Sequence, residues 1–394
     1  MNGLDTAELG KVAPISASST SPTEDDVWLL NLDMVESNTG VVLDCQYVPV
    51  DSIGASTCRF DTGNVLYSKL RPYLNKVVLP DRDGYATSEM LPLRPDPSRL
   101  TREYLTYFLR SPQFVRHISA KVSGAKMPRV NTDALRRTRI PLPSLDEQRH
   151  IASGFDFICR AIDVQKEQIV QLDLLIESRF VEMFGDPMSN SFGLPIVELG
   201  SALTTEPQNG LYKPQSDYVT DGSGTPILRI DGFYDGKVSD FRSLKRLKCL
   251  ESEKARYLLR ENDIVINRVN SLEYLGKCAL IRGLLEETVF ESNMMRLHVD
   301  ETVFDATFIT QLLCSNYIHE QILKRAKKAV NQASINQKDV QSFRIYMPPL
   351  ELQQKFSAFV SAVEKSKLVH NQIVEQMQLL YNERMSQYFG DFSA

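Results

Sequence analysis

Apolar side chains fall at alternating steps of four and three along two long stretches of the chain. In the first, Ile151, Phe155, Ile158, Ile162, Gln165, Ile169, Leu172, Ile176, Arg179 and Met183 keep this spacing. In the second, Phe356, Val360, Val363, Lys367, His370, Val374, Met377, Tyr381, Arg384 and Tyr388 keep it. These are heptad a and d positions sustained over more than four heptads, interrupted by no proline and by no glycine except Gly154. The pattern predicts two long helices that pair through Ile151, Ile158, Ile162, Ile169, Leu172 and Ile176 on one side and Phe356, Val360, Val363, Val374, Met377 and Tyr381 on the other. About 38 residues at about 1.5 Å each give roughly 57 Å, longer than a domain of this size is wide. The simpler alternative is two amphipathic helices, each packed on its own domain. The seam is not uniformly apolar, and its polar positions, Gln165 with His370 and Arg179 with Arg384, can fix register at some cost in stability. Pro141, Pro143, Pro348 and Pro349 impose an extended lead into each helix, and Gly185 and Gly390 supply the stops.

Elsewhere the pattern is shorter. Asp61-Thr62-Gly63-Asn64 before Val65-Leu66-Tyr67, and Glu261-Asn262-Asp263 before Ile264-Val265-Ile266, read as turns entering short buried strands. Thr101 to Leu109 and Asp305 to Leu313 read as helices. Both globular halves are therefore α+β.

The two halves are copies. Between Asn131–Asp186 and Asn336–Asp391 about a quarter of positions agree at a constant offset of 205, among them Arg139 with Arg344, Gln148 with Gln353 and Phe184-Gly185 with Phe389-Gly390. Upstream the offset drifts: Glu8-Leu9-Gly10 answers Glu198-Leu199-Gly200 at 190, and Ser88-Glu89-Met90 answers Ser292-Asn293-Met294 at 204. Drifting length belongs to loops, and a fixed length to an element that must stay in register. The division that follows is 1–143, 144–186, 187–348 and 349–391: a globular part and a long helix, twice.

At 394 residues, 42% hydrophobic and 24% charged, the composition is that of a globular protein of about two domains. No apolar run is long enough to cross a bilayer and the N-terminus lacks a signal-peptide pattern, so a cytoplasmic protein is expected. Six cysteines form no C-x-x-C pair and read as buried apolar residues; no metal site is expected. The net charge of −5 does not favour nucleic acid, because phosphate neutralisation supplies most of the affinity. The local distribution changes that picture. Segments 110–139, 237–260 and 319–338 are basic and lie beside polar residues such as Asn267, Asn270, Ser271, Asn331, Gln332 and Asn336. Cations to position a phosphate backbone and amides to read base edges suit a duplex groove. The candidate DNA contacts are Ser68, Lys69, Arg71, Lys126 and Arg129 in the first half, and Tyr212, Lys213, Asn267, Arg268, Asn270, Lys327, Lys328 and Gln332 in the second.

A catalytic centre is not legible. There is no phosphate-binding glycine loop, no H-E-x-x-H, no Glu-x-Lys triplet and no methyltransferase signature, and His117, His298 and His319 have no acid or cysteine at motif spacing in the sequence. No catalytic residue is expected.

Ile140-Pro141-Leu142-Pro143-Ser144-Leu145-Asp146-Glu147-Gln148 and Ile345-Tyr346-Met347-Pro348-Pro349-Leu350-Glu351-Leu352-Gln353, each closing a variable domain and opening a long helix, resemble the specificity subunit of type I restriction-modification systems. The second phrase departs from the pattern where Leu352 replaces the glutamate. Gly63-Asn64-Val65-Leu66-Tyr67-Ser68-Lys69, and Asn262-Asp263-Ile264-Val265-Ile266-Asn267-Arg268 followed by Leu275-Gly276-Lys277, are similar to the family's target recognition domains. The resemblance implies two similar α+β target recognition domains joined by two long antiparallel coiled-coil helices, with internal pseudo-twofold symmetry. It implies a non-catalytic bacterial defence subunit that reads a bipartite, asymmetric double-stranded DNA sequence, with the helices as a ruler for the gap. It further implies two modification subunits that bring S-adenosylmethionine and methylate adenine, and restriction subunits using ATP and Mg where a system has them. No cofactor is expected on this chain. Three other readings fit the residues: a coiled-coil scaffold that binds no DNA, an enzyme whose site is assembled from residues distant in sequence, and a specificity subunit of a related defence system without a conventional nuclease.

Overall fold

The fold comes from a computed structural model, which describes residues 5–19, 25–124, 126–330 and 332–390. Two compact units emerge, Met1–Gln168 with Val369–Ala394, and Ile169–Leu368. Each combines one α+β globular part with the beginning of one long helix and the end of the other.

The two units repeat one plan. In the first, Thr6–Glu8 runs antiparallel to Arg139–Pro141; in the second, Ile196–Glu198 runs antiparallel to Arg344–Tyr346. The strand that opens each globular part thus closes on the proline phrase that ends it. The Glu-Leu-Gly motif is explained here: Leu9 donates to the Thr138 carbonyl and Leu199 to that of Phe343. A Cβ on Gly10 would stand 3.0 Å from the Arg136 Cβ, and one on Gly200 would stand 3.2 Å from the Gln341 Cβ. Val65–Ser68 and Asp263–Asn267, the strands expected from the turn signals, are buried along their whole length. The first is central in a three-stranded sheet flanked by Val77–Val78 and Met90–Leu93; the second pairs with Met294–His298 and Cys278–Leu280 in a six-stranded sheet.

The helices after these strands are Arg102–Arg110, capped by Thr101, and Ala306–Leu313, capped by Asp305. Their apolar sides enter two cores, one around Leu105, Phe108 and Phe114, the other around Phe308, Ile309 and Leu312.

The proline phrase ends in a buried clamp. Gln148 accepts from the Thr101 amide at 2.9 Å and donates to the Arg99 and Pro143 carbonyls at 2.8 and 2.9 Å. Gln353 accepts from the Asp305 amide at 2.9 Å and donates to the Pro348 and Val303 carbonyls at 2.8 and 3.3 Å. Both side chains are fully buried. Each glutamine therefore ties the extended lead to the start of a domain helix. Glu147 instead accepts from the Ser144 amide and hydroxyl at the exposed helix start, which is why Leu352 can replace its counterpart.

The two long helices are Leu145–Phe184 and Leu350–Phe389. They are antiparallel within each unit. In the first, Phe155 packs on Tyr381 while Gln165 meets His370; in the second, Asp173 meets Lys367 while Phe180 packs on Phe356. Ile151, Ile158, Ile162, Ile176, Phe356, Val360 and Val363 are buried, and Ile169, Leu172, Val374, Met377 and Tyr381 are half-buried. Gln165 Oε1 lies 2.6 Å from His370 Nδ1, so two residues equivalent in the repeat face each other. In the second unit the buried Lys367 bonds to Asp173, and Lys237 bonds to Glu364 at 2.6 Å.

The pattern fails at the helix ends. Arg384 is exposed, whereas Arg179 is half-buried with its guanidinium 5.6 Å from the Phe359 ring of the other helix; the fully buried positions are Phe180, Phe184, Met385 and Phe389. A straight helix gains on a 3.5-residue repeat, and steps of four let these side chains turn into the domain cores. Phe184 lies 4.7 Å from Phe308, and Phe389 lies 5.8 Å from Phe108. The helices thus pair along their length, and the end of each packs on the other half's domain rather than on its own. Gly185, at φ 80°, stops the first helix in the left-handed conformation.

Cysteine burial is also corrected. Cys278 alone is buried, Cys58, Cys159 and Cys249 are half-buried, and Cys45 and Cys314 are exposed; all are free thiols. Among the described residues no His/Cys/Asp/Glu group is placed to hold a metal, and no helix is long and apolar enough to cross a membrane.

Candidate nucleic-acid interface

In the first unit the buried strand Val65–Ser68 leaves the sheet as Lys69-Leu70-Arg71 and meets a hairpin, Val122–Ser123 against Arg129–Val130. The Lys69 amide donates to the Glu89 carbonyl at 2.9 Å, and the Lys69 carbonyl accepts from Val130 at 2.8 Å. Arg71, at φ 48°, donates to the Pro128 carbonyl. Strand end, Glu89 turn and hairpin are locked into one surface.

The second unit builds the same junction. The Arg268 amide donates to the Asn293 carbonyl at 2.8 Å, and the Arg268 carbonyl accepts from Ile335 at 3.0 Å. Val269–Asn270 pairs with Ala333–Ser334, which also pairs with Lys327–Lys328. The repeat thus preserves the backbone frame and changes what projects from it.

The candidates divide by where that frame sends them. Arg71 and Lys126 are exposed, as are Lys327, Lys328 and Gln332 on the second hairpin. Lys69 and Arg129 share one carboxylate. Arg129 Nε lies 3.1 Å from both Glu89 oxygens and its Nη2 lies 2.9 Å from Oε1, while Lys69 Nζ is 4.0 Å from Oε2. The bond to Glu89 holds the guanidinium firmly protonated. Arg268 is half-buried and donates to the Ser292 carbonyl at 3.2 Å. Tyr212 is 77% exposed and joins this region through Leu211, whose carbonyl accepts from Ser292. Asn270 accepts from the adjacent Ser271 amide.

Three candidates point elsewhere. Ser68 is buried and its hydroxyl donates to the Leu70 carbonyl, holding the turn. Asn267 is buried, its amide reaching towards the Tyr274 carbonyl at 3.5 Å. Lys213 is drawn to Glu253 at 2.9 Å and Asp217 at 3.5 Å, and the Glu253 bond raises its pKa. Of the other polar residues named from the sequence, Asn336 is a helix cap bonded to the Asp339 amide, and Asn331 lies outside the described residues.

Residue-by-residue reading missed two features. Glu89 was visible only as a repeat marker, because its role depends on partners 20 and 40 residues away. Lys277 stands 3.7 Å over the Tyr234 ring, with Tyr274 beside it, and donates to the Ile230 carbonyl. Burial lowers its pKa. Its signal was the Leu275-Gly276-Lys277 phrase, which did not reveal the aromatic neighbours.

A twice-repeated α+β unit, carrying one surface frame with two different sets of polar side chains and continued by a long pairing helix, defines a two-module recognition architecture. The family model described as "Type I restriction modification DNA specificity domain" matches residues 7–174 and 204–378, and the chain belongs to this family. The type I restriction enzyme EcoKI specificity subunit of Escherichia coli (strain K12) is 24% identical over 314 residues, 74% of this chain and 66% of that one. The match spans just under two thirds of that relative's length. The type I restriction-modification system S subunit from M. genitalium has a similar fold, with a TM-score of 0.60 at 14% identity over 100% of this chain and 98% of that one. A chain from a structural study of the complex assembly and conformational transition of a type I R-M system aligns with a TM-score of 0.61 at 20% identity, covering 99% and 98%.

Proposed function

We propose that this chain is the non-catalytic DNA-reading subunit of a type I restriction-modification complex. Each unit reads one part of a bipartite, asymmetric duplex sequence, and the long helices set the gap between the parts. The observation that carries the reading is the junction built twice from equivalent backbone bonds, with Arg71, Lys126, Lys327 and Lys328 exposed on it. Exposed cations there position phosphates, while the differing side chains between them supply two distinct base-reading sets. Net charge −5 for the chain is compatible with this, because the cations are concentrated where the duplex lies.

The partners are two modification subunits that bind S-adenosylmethionine and methylate adenine, with restriction subunits using ATP and Mg where the system has them. Support comes from large apolar side chains exposed on the long helices. Phe157, Val164, Leu379 and Leu380 belong to the first unit, and Val170, Leu174, Leu175 and Leu368 to the second. Exposed apolar groups in such number mark a surface made for protein contact. The test is co-expression with a modification subunit, followed by sequencing of host DNA for modified adenines. One split motif, lost when this chain is deleted, supports the reading; methylation without a motif overturns it.

A further inference from the structure

Glu89 is a carboxylate in the middle of the first unit's basic face, partly exposed and in contact with two of its cations. A negative charge there opposes phosphate binding, so its presence needs a chemical reason. Its setting supplies one. Arg129 grips it through three bonds, Nε to both oxygens and Nη2 to Oε1, which fixes the plane of the carboxylate. A carboxylate has about four acceptor sites, and Oε2 takes only one of these three bonds. An acceptor with spare capacity is therefore held rigid among the cations of this face. We infer that Glu89 is a specificity-determining residue of the first unit, accepting a hydrogen bond from the exocyclic amino group of a cytosine or adenine, with Arg129 as its positioning residue. This rests on the DNA-reading function proposed above.

The second unit acts as an internal control. At the places of Glu89 and Arg129 it carries Asn293 and Ser334. The backbone frame is unchanged, since the amides of Lys69 and Arg268 donate to the carbonyls of Glu89 and Asn293 alike. A hairpin tether required by the fold would recur in both units. This carboxylate and its bidentate cation are instead present together in one unit and absent together from the other. That is the behaviour of a reader, because two modules that recognise unlike half-sites need unlike polar groups at equivalent positions. An amino group on a base edge is the donor that an acceptor-only side chain selects in the major groove.

The experiment uses the full chain in complex with its modification subunit and a library of randomised duplexes, with bound duplexes sequenced. Wild type, Glu89→Ala, Glu89→Gln and Arg268→Ala are compared. Arg268→Ala identifies the half-site read by the second unit. Expected for Glu89→Ala is a preference at one cytosine or adenine position of the other half-site that falls roughly 5- to 150-fold, all remaining positions being retained. Glu89→Gln, which keeps the volume and one acceptor, changes the preferred base at that same position. An unchanged motif in both variants overturns the inference and leaves the DNA-reading function standing. Loss spread evenly over all positions overturns it as well, marking Glu89 as a tether. A wild-type complex that selects no motif overturns the function itself.

Discussion

Replacing Gln353 by alanine tests how the proline phrase holds each domain to its long helix. The substitution removes one acceptor and two donors from a fully buried site, leaving the Asp305 amide and the Pro348 carbonyl without their partners at 2.9 and 2.8 Å. A buried polar group left unpaired costs about 1–3 kcal/mol, so the two together cost about 2–6 kcal/mol, less where water enters the space. Gln148→Ala removes the equivalent bonds to Thr101, Arg99 and Pro143 and carries a cost of the same size. The chain provides its own reporter for telling the two apart. Its single tryptophan, Trp28, is buried in the first unit. In urea, Gln148→Ala shifts the tryptophan fluorescence transition, whereas Gln353→Ala shifts the circular dichroism transition and leaves the fluorescence less affected. A loss below about 0.5 kcal/mol for both variants refutes the clamp, since that is the range of surface substitutions.

Four further outcomes follow from the same geometry. Gln353→Glu supplies an acceptor for Asp305 but, when ionised, no donor for Pro348; its folded-state pKa is therefore raised, and stability measured by denaturation falls as pH rises. In the wild type, burial raises the Glu291 carboxyl above its ordinary value, so its contribution is fully present below the unfolded value of about 4.3 and is lost as pH rises through the folded one; Glu291→Gln flattens this slope between pH 4 and 8. Leucine at both Gln165 and His370 raises the thermal midpoint, while either change alone lowers it by leaving a polar partner in the seam. Deleting one heptad from the middle of each long helix shortens the pair by about 10 Å, and a methylation motif whose gap does not shrink by about three base pairs removes the ruler.

Much of the fold could be read from the chain because the repeat acts as its own alignment. The fixed offset of 205 marked the closing helices, and heptad spacing gave their pairing at Ile158, Ile162 and Ile176. The reading went wrong at the exposed Arg384 because a strict heptad ignores the domains, whose cores draw in Phe180 and Met385. The polar surface was less legible for a different reason. Ser68 and Asn267 are polar types adjoining basic ones, but each is the last residue of a buried strand and its side chain is spent on backbone carbonyls. Lys213 is basic by type and neutralised by Glu253, whose approach depends on a fold that places residues 40 apart in contact. Residue type names the chemistry; only the fold says which face receives it.

The contact between Gln165 and His370 has a consequence for how such a chain can arise. Residues equivalent in a duplication face each other where two identical half-chains would meet as a homodimer. A homodimer of the first half would set glutamine against glutamine there, and one of the second half would set histidine against histidine. Joining the halves let the two positions diverge into a complementary donor and acceptor. The contact between glutamine and histidine therefore forms only between unlike halves, and a dimer of either half alone would lack it.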